Sequence, residues 1–354
     1  MASCYYISTT EQETMIITYL RSSSYGTHCM CEQQYFIEYN LGLRSPSNQK
    51  ADKGTIVHKV MEILADISVA ASKGEMFITD EMCREINTID HNVEKITEQV
   101  YEYYTSRFTH HQWKPLDLKH CKQWVQKAIN VQNGNFDPRN QKIIQPEQRF
   151  DIEIKKPWAY YDYGEDLKGY LAIKGTIDLI AQPNENTIEI IDYKTGKRLD
   201  WATGEEKTFT KLEKDPQLRM YHYAASVLYP EIDHIIVSIY FINDGGIFSM
   251  NYDKSQLPET EDMIRRKFQE IKSCKRPRLN KSWKCTKLCH FGKNYFPNPL
   301  IEYRDNQRTP HGCPMTMCEQ IKHAVDVAGI DGAIDKYQKP GYNVGIYKAP
   351  GSTE

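Results

Sequence analysis

The sequence predicts an α/β protein: a mixed central sheet flanked by helices, with a helical insertion and a cysteine-rich C-terminal module. Three observations carry this. Two apolar runs around QPNEN, between Gly175 and Lys194, read as a β-hairpin. Apolar residues at helical spacing both precede and follow that hairpin. Cysteines gather in two close pairs near the C-terminus.

A chain of 354 residues with 40% hydrophobic residues can bury one large core with appended elements. The formal net charge of -2 does not by itself point to nucleic acid or membrane. No apolar run approaches the roughly 20 residues that span a bilayer, and MASCYYISTTEQE lacks the charged and apolar regions of a secretory signal, so a cytoplasmic location is expected. In that setting ten cysteines favour metal binding over a disulfide framework.

In chain order, residues 1–20 are expected to form an arm, with strand character from Met15 to Leu20. Ser22 to Ser24 supply turn or N-cap chemistry before CEQQYFIEYNLGL, a buried helix ending near Gly42. KGTIVHKVMEILADISVAA is a second helix with Val57, Val60, Met61 and Leu64 on one stripe, and His58 near its start. Residues 78–131 form the helical insertion, broken around Pro115, with His110 and His111 expected to face solvent. Strands follow in IIQPEQRFDIEI, GYLAIKGTIDLIAQ and TIEIIDYK. Asp215 and Pro216 open a helix on which Gln217 and Tyr221 share a face. HIIVSIYFI and GIFSMNY are joined by NDGG as a hairpin, and PETEDMIRRKFQEIKS closes the core as a helix.

Strand alternation gives the hairpin its chemistry. Asp192 and Lys194 share one face, and Asp178 on the first strand can reach the same point. Two carboxylates and an ammonium at the edge of a buried sheet are costly without a metal or a charge network. An edge salt bridge would explain Asp192 and Lys194 alone. With Glu147 upstream, the set offers hard oxygen ligands for Mg²⁺ or Mn²⁺ and a lysine to orient or activate a water, which suits phosphodiester hydrolysis.

CEQQYF, GTIVH with His58, PEQRF with Glu147, GTID with Asp178, DYK with Asp192 and Lys194, and QLRMY with Gln217 and Tyr221 stand in that order. In this the chain resembles the PD-(D/E)XK nuclease superfamily and, within it, the RecB-like exonuclease branch that includes phage-encoded and CRISPR-adaptation nucleases. The resemblance covers residues 22–242 and implies a restriction-endonuclease-like core, with a nuclease domain over 21–280 and a cysteine-rich module over 281–354. It implies a metal-dependent DNA nuclease in which His58, Glu147, Asp178 and Asp192 surround the divalent ions. Lys194 is then catalytic, and Gln217 and Tyr221 line the DNA side. Asp151 or Glu153 replaces Glu147 if the strand register differs. A non-catalytic DNA-end-binding module is the alternative, as is a nuclease subunit working with a helicase or recombinase. The chain carries no G-x-x-x-x-G-K-[ST] loop, so any ATP-driven motor is another chain.

Cys285, Cys289, Cys313 and Cys318 can close a tetrahedral structural zinc site, with His290 and His311 as substitute ligands. The resemblance implies instead a four-iron iron–sulfur cluster that adds Cys31, although the C-terminal spacing differs from the family's tighter pattern. Between Arg265 and Lys293, eleven Lys or Arg stand against the single acid Glu270, a bias that could follow a phosphate backbone.

Overall fold

The computed structural model describes residues 13–75, 92–164, 167–200, 203–296 and 314–344. The chain forms two compact units, each assembled from separated segments. One comprises Met1–Pro46, Asp151–Lys174 and Glu261–Glu354, the other Ser47–Phe150 and Gly175–Thr260. Among the described residues the strands are β1 (Tyr19–Leu20), β2 (Ile143–Glu153), β3 (Tyr160–Asp162), β4 (Lys168–Tyr170), β5 (Ala172–Asn184), β6 (Thr187–Lys194), β7 (His234–Phe241) and β8 (Gly246–Tyr252).

The unit containing Ser47–Phe150 and Gly175–Thr260 is built on β6. The predicted hairpin forms: β5 and β6 pair antiparallel with Leu179 opposite Ile191 and Ile180 opposite Ile190, and the turn closes at Asn184 and Thr187. β6 then pairs parallel with β7 along its whole length, Thr187 opposite His234 through Lys194 opposite Phe241. A parallel pair needs a long crossover, and helices Phe209–Glu213 and Pro216–Leu228 lie within it. β7 returns antiparallel to β8 through the NDGG turn, where Gly245 and Gly246 adopt φ of +101° and +83°. Those angles suit glycine, which lacks the Cβ that would clash.

β6 is buried along nearly its whole length, which explains a run of isoleucines rather than strict alternation with polar residues. Leu179, Ile191 and Tyr193 pack into one core with Ile56, Val57, Val60 and Leu64 of helix Gln49–Ser72. Helices Val93–Arg107 and Pro115–Asn130, the described part of the expected insertion, complete that core through Val100 and Val125. Helix Pro216–Leu228 packs on β7. β2 lies beside β5, and the close approach needs Gly175: a Cβ there would meet the Phe150 ring at 2.5 Å.

In the other unit, β1 runs parallel to the first residues of β5, with Tyr19 opposite Ala172. β3 and β4 form a separate hairpin. Ser22 to Ser24 are not a turn but the first residues of helix Ser22–Met30, capped when the Arg21 amide donates to Ser24 Oγ at 2.9 Å. The sequence reading also missed helix Met317–Tyr337, which contacts helix Glu32–Tyr39. The basic run is partly neutralised. Arg265 and Arg266 pair with Asp262, Lys267 with Glu270, Lys275 with Glu13, Arg278 with Glu32 and Lys281 with Glu319. No helix among the described residues is long and apolar enough to cross a membrane.

Candidate active site

Beyond Leu179, the β5–β6 register brings Asp178 level with Asp192. There the Asp178 carboxylate takes over from the backbone, its Oδ2 accepting the Tyr193 amide at 2.9 Å. That bond fixes Asp178 Oδ2 beside the ring of His58, whose Nδ1 is 3.2 Å away. Glu147 joins them: one donor atom from each of His58, Glu147 and Asp178 lies within 4.8 Å of the others.

Glu147 reaches this position from a strained backbone. Its φ is +44°, inside strand β2. For a residue with a Cβ this left-handed conformation is costly, and such strain concentrates at functional sites. The alternative acids are engaged elsewhere, Asp151 with Lys174 at 2.7 Å and Glu153 near Lys155 at 4.0 Å.

Asp192, 1% exposed, anchors the second half of the site. Lys194 Nζ stands 2.9 Å from its Oδ1 and 2.7 Å from its Oδ2. The Gln217 side-chain amide donates to Oδ1 at 3.1 Å, and the Tyr221 hydroxyl lies 3.0 Å from the same oxygen. Oδ2 lies close to the ammonium but receives no directed hydrogen bond. Tyr221 departs from expectation. It is 5% exposed, with its hydroxyl 3.0 Å from the Thr176 carbonyl, so it steadies Asp192 from within the core instead of facing a ligand.

Charge and burial compete here. Burial pushes the Glu147 carboxyl up to about 7, and Asp178 and Glu62 add to it. Burial also raises the Asp192 carboxyl, with Lys194 opposing and Asp178 reinforcing the rise. For Asp178, burial is outweighed by His58, Lys194 and the Tyr193 amide, which hold it below the ordinary value. Burial disfavours charge on His58 and Lys194, yet the neighbouring carboxylates keep both raised.

Glu62 and Thr195 escaped the sequence reading, whereas the close approach expected at Gly54 is present. Glu62, one turn beyond His58, adds a further acid near Glu147; its signal was the i,i+4 spacing. Gly54 allows close approach, since a Cβ there would lie 2.7 Å from Thr195 Oγ1. Both Gly54 and Thr195 line a cavity of about 400 Å³, together with His58, Glu147, Asp178 and Lys194.

Cys31, Cys285, Cys289 and Cys318 all belong to the unit containing Met1–Pro46. The Cys318 thiol is pushed up first by burial and then by Cys31, Cys289 and Cys285. Cys313 and His311 lie outside the described residues, and His290 Nδ1 is 3.0 Å from the Asn294 side-chain amide.

Fold and site together define a mixed-sheet α/β protein that carries carboxylates, a histidine and a lysine at the end of a central hairpin. The chain belongs to the PD-(D/E)XK nuclease superfamily, which residues 22–293 match. No curated protein matches. Among solved structures the chain is similar to that of a putative exonuclease from Eubacterium rectale, with 11% identity and a TM-score of 0.42, covering 77% of this chain and 85% of that one. It is also similar to SSO0001, with 17% identity and a TM-score of 0.23, covering 66% and 96%.

Proposed function

We propose that this nuclease-superfamily chain is a Mg²⁺- or Mn²⁺-dependent DNA exonuclease of the RecB-like branch, acting in DNA recombination, repair or phage DNA metabolism. The observation that carries the reading is the convergence of His58, Glu147 and Asp178 donor atoms within 4.8 Å, beside the Asp192–Lys194 pair. The residues fit a divalent cation: the buried Asp192 Oδ2 lacks a directed donor, and burial with the neighbouring acids Asp178 and Glu62 raises the Glu147 carboxyl to about 7. His58, Glu147, Asp178 and Asp192 would hold the ion. When bound, it supplies charge to a phosphoryl oxygen and lowers the pKa of an attacking water.

The chain's own groups do the rest. Lys194, charged and steadied by Asp192, orients the nucleophilic water and offsets negative charge developing at the scissile phosphate. Gln217 and Tyr221 are positioning residues, because they act through Asp192. The cavity lined by Gly54, His58, Glu147, Asp178 and Lys194 is where the strand approaches in this reading.

The test is digestion of end-labelled linear and closed circular DNA with Mn²⁺. The reading expects degradation of linear DNA that EDTA abolishes, with circles spared. Cleaved circles would make the enzyme an endonuclease, and binding without cleavage would leave a DNA-end-binding module.

The thiol group of Cys31, Cys285, Cys289 and Cys318 is proposed as the ligand set of a four-iron iron–sulfur cluster, in preference to zinc on Cys285, Cys289, Cys313 and Cys318. What supports this is that Cys31 adds to the rise that burial causes first in the Cys289 and Cys318 thiols; four cysteine thiolates are the ordinary ligand set of such a cluster. Anaerobically purified protein should be brown, whereas a colourless sample with stoichiometric zinc would contradict the assignment.

A further inference from the structure

We propose that Asp52, His110 and His111 form a second cation site, suited to zinc, which ties the start of helix Gln49–Ser72 to the turn before helix Pro115–Asn130. His110, exposed as expected from sequence, and His111, half-buried against that expectation, converge on a single oxygen. Asp52 Oδ2 lies 2.6 Å from His111 Nε2 and 3.6 Å from His110 Nε2. It also accepts the Ser47 hydroxyl at 2.8 Å, and that hydroxyl is 3.1 Å from His110 Nε2. Donor atoms of Asp52, His110 and His111 all lie within 4.8 Å of one another.

The His111 contact is a good hydrogen bond, whereas His110, at 3.6 Å, is too far for a direct one to the same oxygen and is linked to it through the Ser47 hydroxyl. The two imidazoles are also crowded, with centroids 3.9 Å apart. A shared cation explains why both Nε2 atoms approach one carboxylate. Zinc bonds of about 2.0–2.1 Å place neighbouring tetrahedral ligand atoms about 3.3–3.4 Å apart. The separations of 2.6 and 3.6 Å bracket that value. Two imidazoles and one carboxylate suit zinc better than magnesium or calcium, which prefer oxygen. Ser47 or a water completes the fourth position.

The surroundings are organised to hold it. Asp52 is 4% exposed. Gln49 Nε2 contacts the Gln112 carbonyl at 3.2 Å and Asp117 Oδ2 at 3.0 Å, tying the residue after His111 to the helix that carries Asp52. Ala51, Gly54 and Thr55, on the same turns as Asp52, line the nuclease cavity. An ion on Asp52 therefore braces one wall of that cavity without contacting the donors His58, Glu147 and Asp178.

The test is calorimetric titration of Zn²⁺ into the full chain after chelator treatment, comparing wild type with His110→Gln and Asp52→Asn. Other zinc-competent groups are common to all three proteins, so the difference isolates this site. His110 is exposed, and its replacement should leave the circular dichroism spectrum and the zinc-free melting temperature unchanged. The expected result is loss of one zinc equivalent, or at least an approximately tenfold weakening of it, in both variants. Equal stoichiometry and affinity in all three proteins would overturn the proposal.

Discussion

Glu147 concentrates the cost of the site in one residue. It occupies a left-handed backbone position and a carboxyl raised to about 7 by burial and by Asp178. A metal must displace its proton, so metal binding should strengthen as pH rises from about 6 to about 8. In Glu147→Gln that slope should flatten and overall affinity fall; Mn²⁺ titrations at several pH values check this. Asp178, Asp192 and Lys194 were legible in the sequence because strand alternation is local and nearly obligatory. The strain at Glu147, the charge of Glu62 and the burial of Tyr221 were not, since each depends on how separate elements meet.

At the scale of elements, the hairpin and its partners followed from apolar runs and turn residues, and the helix start at Asp215 followed from its cap: Asp215 Oδ1 accepts the Gln217 amide at 2.9 Å. Helix Ser22–Met30 was hidden because SSSYGTH is polar and poor in helix formers. The seating of β2 against β5 hangs on Gly175. Gly175→Ala drives a Cβ to 2.5 Å from the Phe150 ring, which is 7% exposed and cannot easily move. Overpacking of this kind costs about 1–3 kcal/mol, read as a lowered midpoint in urea unfolding. Adding Phe150→Leu should cost less in the Gly175→Ala background than in wild type, because the two residues are in contact.

For the molecule as a whole, stability should be sensitive to acid through a buried histidine that is not among the proposed cation ligands. His222 is fully buried against the Tyr252 ring, with neither ring nitrogen hydrogen-bonded. Burial, reinforced by Arg219, lowers its pKa from 6.5 to about 4. The unfolded chain therefore takes up this proton first, so stability is fully present above pH 6.5 and is lost as pH falls toward 4. The loss is on the order of 3 kcal/mol. His222→Phe keeps the stacking and should flatten the acid limb between those pH values in urea unfolding. The fold class was readable because periodicity survives over whole elements. The basic run was only half readable, because its counter-acids Glu13, Glu32 and Glu319 are brought to it by the fold. The Asp52, His110 and His111 grouping joins residues nearly sixty positions apart, which no local pattern marks.

The central claim is that Lys194 acts chemically beside a cation held by His58, Glu147, Asp178 and Asp192. The most direct measurement compares wild type with Lys194→Ala for both Mn²⁺ affinity and single-turnover cleavage of linear DNA. Cleavage should fall by about 10²- to 10⁴-fold while Mn²⁺ binding and the melting temperature are retained. Equal cleavage by the two proteins would show that the chemistry lies elsewhere.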